Sequence, residues 1–99
     1  MAEYDDSFAY TISDGVLADI AATAALKTPG VAGKKGRGIA VRNMDGVITA
    51  EVHVQAYYGV PMRELALTVQ QNVAEALTVM ADPEQLKVHV TIEDLVMKP

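Results

Sequence analysis

Apolar and polar residues alternate along this chain with two different periods, and the switches between them mark its elements. From Ile48 the period is two: Ile48, Ala50, Val52, Val54, Ala56 and Tyr58 fall on one side, and Thr49, Glu51, His53, Gln55 and Tyr57 on the other. That alternation predicts a strand with one buried and one polar face. Gly59 breaks it, and Pro61 opens a helix to about Met80. Proline suits a first helical position because its φ is preset and it has no N–H to leave unpaired. Met62, Leu65, Ala66, Val69, Val73, Ala76, Leu77 and Met80 recur at helical spacing as a core stripe, while Arg63, Glu64, Gln70, Gln71, Glu75 and Thr78 face water. Asp82-Pro83 ends that helix. Period two then returns, with Leu86, Val88, Val90 and Ile92 alternating with Lys87, His89, Thr91 and Glu93 in a last strand.

The N-terminal half follows the same logic. Residues 1–9 read as a mobile acidic tail, with Phe8 and Tyr10 placed to anchor its end, and residues 10–97 as one domain. Tyr10-Thr11-Ile12 reads as a short first strand. Ser13 is a helix N-cap, and Asp14 in the first turn suits the helix dipole. Val16, Leu17, Ile20, Ala21, Ala24 and Ala25 form a narrow apolar stripe through about Leu26, and Pro29-Gly30 stops the helix. Gly33 to Gly38 reads as a flexible basic loop, Ile39 to Met44 as a second strand, and Asp45-Gly46 as a hairpin turn whose central positions need positive φ. The order is β-α-β-β-α-β. It predicts an α+β fold: a two-layer sandwich of ferredoxin-like order, with both helices on one face of a mostly antiparallel sheet and the other face open.

Composition narrows the function classes. Ninety-nine residues make one domain with a single core. Hydrophobic residues are 51%, with no Trp and one Phe, so the core is aliphatic. Absence of cysteine excludes a disulfide frame, a thiolate nucleophile and a Cys-based metal site. The acidic, polar first nine residues are unlike a signal peptide, and no apolar run approaches the roughly 20 residues of a membrane span. Together these predict a soluble cytoplasmic protein. The net charge of −5 argues against wholesale nucleic-acid binding. Yet Lys27, Lys34, Lys35, Arg37 and Arg42 gather five of the eight basic residues in one stretch, giving a basic loop on an acidic body.

Few residues suggest chemistry. Gly33-Lys34-Lys35-Gly36 matches the GXXG clamp of KH domains, which holds a nucleic-acid backbone, but such a clamp joins two helices and this one runs from a helix into a strand. It is not a phosphate-binding Walker loop either, because no Gly-Lys-Ser/Thr precedes a helix. Lys34, Lys35 and Arg37 are therefore candidates for an anionic partner, with a solvated connector the blander alternative. His53 and His89 fall on the open face. Zinc would need Glu51 or Glu93 and a third ligand besides, and a ferredoxin-like order sets a strand between the two histidines. No Ser, Thr or Tyr stands beside a His in a nucleophile motif. These residues predict no enzyme, no metal and no cofactor. The row Thr49, Glu51, His53, Gln55 and Tyr57 is the better candidate, as a partner-binding sheet face rimmed by tyrosine.

Taken in order, the phrases along the chain resemble the alkaline shock protein family, the bacterial envelope-stress and general-stress proteins of Gls type. They are Ile12-Ser13, Pro29-Gly30-Val31-Ala32-Gly33, the strand Val52 to Tyr58 ending in Tyr58-Gly59, Val69-Gln70-Gln71-Asn72-Val73, and Val88 to Ile92. The resemblance runs from about Tyr10 to Val96. It departs in a short segment after Gly33, where many relatives carry a longer basic insert, and in Asp94, where a Gly usually follows the last strand. It implies a non-enzymatic role: some relatives associate with a membrane-anchored partner and support envelope homeostasis, and others are linked to fatty-acid synthesis. The expectation is a cytoplasmic protein–protein interaction module near the membrane that self-associates or docks a protein, without inserting into the bilayer. The alternative is a small nucleic-acid-binding module using the Gly33–Gly38 loop.

Overall fold

A computed structural model describes residues 11–99. The first nine residues, read above as a mobile tail, and Tyr10 lie outside the described residues. The elements are α1 (Asp14–Leu26), β1 (Val31–Met44), β2 (Val47–Tyr57), α2 (Met62–Ala81) and β3 (Gln85–Val96). Among the described residues the fold is α+β, in the order α-β-β-α-β, with a three-stranded mixed sheet in the order β1-β2-β3.

β2 is the centre. It pairs antiparallel with β1 and parallel with β3. Asp45 (φ 52) and Gly46 (φ 84) both take positive φ, as the two-residue β1–β2 hairpin demands, with Met44 opposite Val47. The parallel pairing with β3 follows from the helix crossover between them. Gly46 also fixes where β3 begins, because its carbonyl accepts from the Glu84 and Gln85 amides at 2.9 and 3.3 Å.

The ferredoxin-like order needs correction. Thr11 and Ile12 form no strand, since two residues beside an N-cap leave too little length for a ladder. β2 and β3 bond to each other directly, where that order would interpose a strand. The basic segment is also not a separate loop. β1 starts at Val31 and carries Lys34–Gly38 as a bulge, with Lys34 opposite Val54 and Ile39 opposite Val52, so that four residues answer His53 alone. Gly36 (φ 61) and Gly38 (φ 74) supply the left-handed turns of that bulge.

The expected faces hold. Ile48, Ala50, Val52, Val54 and Ala56 of β2 are fully buried, against Leu17, Ala21 and Ala25 of α1 and Leu65, Val69, Val73 and Leu77 of α2. Tyr58 departs from its expected face: it lies past the strand end and is exposed. Ser13 caps α1, its hydroxyl accepting from the Val16 amide at 3.1 Å. Pro61 is the N-cap of α2 rather than its first residue, and Asp82 closes the helix in the left-handed region (φ 44). β3 is bulged at Glu93, with Val54 opposite Ile92 and Gln55 opposite Asp94. The non-glycine at position 94 therefore does not end the strand, which continues to Val96.

Core and surface on adjacent α2 positions separate cleanly. Leu77→Ala should lower unfolding free energy by about 2–5 kcal/mol in urea titrations, because the buried side chain leaves a cavity. Thr78→Ala, one residue along and exposed, should stay within about 0.5 kcal/mol.

Candidate functional site

Because the β2 row Ile48 to Ala56 points into the helices, Thr49, Glu51, His53, Gln55 and Tyr57 point the other way. The structure brings these five onto one face, as the alternation requires. Strand register supplies their neighbours. Thr49 lies between Arg42 and Lys87, Glu51 between Ala40 and His89, Gln55 between Gly33 and Asp94, and Tyr57 beside Val96.

His53 makes a side-chain hydrogen bond within this face. Its Nδ1 lies 2.6 Å from Glu93 Oε2, with the two side chains 15% and 33% exposed. An ionised carboxylate only accepts, so Nδ1 carries the proton and Nε2 is the nitrogen left for a partner. The bulge helps hold the pair. A Cβ on Gly36 would sit 2.9 Å from Glu93 Oε2, so the glycine backbone lies directly against the carboxylate. Lys35 Nζ reaches Asp94 Oδ2 at 4.0 Å, an exposed pair worth at most about 1 kcal/mol. At the far end Lys98 Nζ stands 5.7 Å from the centre of the Tyr57 ring, within cation–π range.

Two sequence expectations change here. His53 and His89 are not held apart: they lie on adjacent strands, with His89 opposite Glu51 and Thr91 opposite His53. Even so, no group of three or more His, Asp or Glu that could hold a metal occurs among the described residues. Lys34, Lys35 and Arg37 are exposed; Lys35 faces Asp94 at 4.0 Å, and Glu93 lies against Gly36 of the same bulge, so carboxylates border this basic segment. Sequence reading placed Glu93 on the polar row of the last strand but missed its pairing with His53, and it missed the contact of Asp94 with Lys35. His53, the partner of Glu93, is 40 positions away, and only the direct β2–β3 pairing joins the two.

The opposite side of the molecule carries a groove of about 660 Å³ between the outer surfaces of α1 and α2. It is lined by apolar side chains including Val16, Ile20, Ala24, Val79 and Met80. No helix among the described residues is long and apolar enough to cross a membrane.

With this geometry in hand, comparison with known proteins is informative. Solved structures of the MamM C-terminal domain share the fold. The fragment 215–293 is 19% identical, with a TM-score of 0.54, covering 80% of this chain and 98% of that one. A manganese form of one variant (19% identity, TM-score 0.53, 80% and 98% covered) and a nickel form of another (19%, 0.54, 80% and 98%) match equally well. At this identity the likeness extends to the fold and no further. No curated protein matches the chain. The family pattern of alkaline shock protein 23, described by a cell envelope-related function, matches residues 3–97, and the chain belongs to that family.

The bulge geometry makes a sharp prediction. Gly36→Ala forces a side chain into the left-handed region and onto Glu93, so it should cost about 1–2 kcal/mol and shift the His53 ring signals in NMR spectra. Gly33→Ala, with nothing within 4 Å of an added Cβ, should leave those signals in place.

Proposed function

We propose that this chain is a non-catalytic protein–protein interaction module of the alkaline shock protein 23 family. In this reading it acts in envelope and general-stress physiology, in the cytoplasm near the membrane. It docks a protein partner, a membrane-anchored one or a second copy of itself, through the open face of its sheet. The observation that supports this reading is the His53–Glu93 pair on that face. A short hydrogen bond, backed by a glycine of the β1 bulge, fixes a polar group in the middle of an otherwise solvent-facing row. Fixed polar groups lose less conformational freedom on association than free surface side chains do. Tyr57, with Lys98 over its ring, adds an aromatic of the kind enriched at interfaces.

Family membership supports the envelope-related part of the reading. The nucleic-acid alternative gains nothing from the geometry, since the carboxylates of Glu93 and Asp94 lie against the basic bulge and would face an incoming phosphate.

The test is capture of partners by tagged protein from membrane and cytosolic fractions of the source organism, with and without nuclease. His53→Ala combined with Tyr57→Ala should sharply reduce recovery of a nuclease-resistant partner. Its melting temperature should shift by only a few degrees, because both side chains lie on the uncovered face. Undiminished capture by the folded double variant would remove this face from consideration.

A further inference from the structure

β3 ends the sheet, and among the described residues no strand pairs with its outer edge. Register shows which backbone groups that edge presents. The Tyr57 amide donates to Gly30 O on the β1 side and the Tyr58 amide to Val96 O on the β3 side, so the even-numbered residues of β2 aim their backbone groups at β3. Val54 lies opposite Ile92, and in a parallel ladder it bonds to the neighbours of that residue, Thr91 and Glu93. Lys87, His89 and Thr91 therefore turn their backbone groups to β2, while the N–H and C=O of Val88, Val90 and Ile92 point outward. Gln70 of α2 agrees with this: its Nε2 donates to Val88 O at 3.0 Å, where an oxygen inside the ladder would be out of reach. The β1 edge is guarded differently, by the Lys34–Gly38 bulge and by Asp14, whose Oδ1 accepts from the Asn43 amide at 3.1 Å.

We infer that this free edge is the docking site of a second copy of the chain, whose β3 adds antiparallel about a two-fold axis through Val90, perpendicular to the sheet. This edge is distinct from the open face, and its pairing does not depend on a partner there. The segment Lys87-Val88-His89-Val90-Thr91-Ile92-Glu93 is self-complementary about its centre. Val90 meets the second copy's Val90, Val88 meets Ile92, His89 meets Thr91 and Lys87 meets Glu93, each of the last three twice by symmetry. The valines and Ile92, only partly buried in one chain, then lie together on the helix side. The outward N–H and C=O groups of Val88, Val90 and Ile92 pair with one another. That leaves Lys87 with Glu93 as a non-hydrogen-bonded pair, the kind whose side chains approach most closely.

Charge selects both the occupant and the register. Lys87 has no ion-pair partner among the described residues, and Glu93 engages His53 through Oε2, which leaves Oε1 for an incoming lysine. A lone lysine on an edge strand guards against such pairing. Glu93 at the mirror position turns that guard into a match for the same sequence. Parallel addition in register would set Lys87 against Lys87 and Glu93 against Glu93, which repel. Moving the axis to His89 or Thr91 leaves Lys87 opposite Thr91 or Leu95, with no charge to meet.

The test takes the full chain through a concentration series, with mass read by sedimentation and amide hydrogen exchange read by NMR. Mass should rise from one chain toward two. In step with it, the Val88, Val90 and Ile92 amides, fast to exchange in dilute samples, should become protected. The Lys87, His89 and Thr91 amides, bonded to β2, should be protected throughout. K87E and E93K should each weaken self-association about tenfold, because two facing pairs turn from attraction to repulsion. An equimolar mixture of the two variants should regain the original strength, since every lysine then faces a glutamate again. Lys87 is exposed, so K87E keeps the fold; should E93K not fold, the exchange pattern and K87E decide without it. The inference is overturned if the mass stays that of one chain at NMR concentrations. It is equally overturned if the chain associates while the Val88, Val90 and Ile92 amides stay unprotected, which would place the contact on the open face or the α1–α2 groove. Protection of those amides in a species of single-chain mass would mean that the edge is covered from within, and would also overturn it. So would two folded variants that associate no better mixed than alone.

Discussion

The fold hangs on one constraint: β2 must be covered on a single face by two helices while being paired along both edges. Its inward row combines branched side chains with alanines, Ile48, Ala50, Val52, Val54 and Ala56, all fully buried. The alanines of β2 and of α1 (Ala21, Ala25) let helix and strand approach, and Leu17, Val69, Val73 and Leu77 fill the space that results. Pairing in opposite senses on the two edges then follows from connection length. The two-residue hairpin makes β1 antiparallel, and the 20-residue α2 returns the chain so that β3 runs parallel.

Three of the phrases that carried the family resemblance, at Pro29–Gly33, Tyr58-Gly59 and Val69–Val73, are joined by contacts at one end of this sheet, which gives them a physical reason to occur together. Gly30 (φ 101) turns the chain from α1 into β1, and a Cβ there would sit 3.1 Å from both Val60 and Leu65. Its carbonyl accepts from the Tyr57 amide at 3.0 Å, and the Tyr58 amide donates to the Val96 carbonyl at 2.7 Å. Thr28, nearly fully buried, donates to Ala24 O and accepts from Asn72 Nδ2, tying the end of α1 to the middle of α2. The turn glycine, the strand-ending tyrosines and the Val69–Val73 phrase are thus parts of a single junction.

Much of this was legible in the chain because it is local. Alternation, N-cap, hairpin turn and helical stripe each depend on residues within a few positions of one another, and each appears where it was expected except at its margins: Val16 and Met80, read into the core stripes, are exposed, as is Tyr58. What the sequence concealed is non-local. Thr11-Ile12 has strand-forming residues, but nothing nearby says that the slot beside β2 is taken by β3, 40 positions later. The same missing fact misplaced His53 relative to His89 and hid the pairing of His53 with Glu93. The basic glycine stretch misled for another reason. Glycine-rich composition marks departure from regular backbone, and a bulge inside a strand departs from it as much as a loop does.

The two faces of the molecule consequently obey different physics. On the sheet face the side chains are polar and several are already engaged: His53 with Glu93, Lys35 with Asp94, Lys98 with Tyr57. A partner there would gain from preorganised groups and would be sensitive to salt, since the charges are exposed. On the helix face the groove is apolar, with charge only on its rim, so occupancy there depends on burying hydrophobic area and responds weakly to salt. That asymmetry sets what each face can recognise: matched polar and charged groups on the sheet side, and apolar area on the helix side.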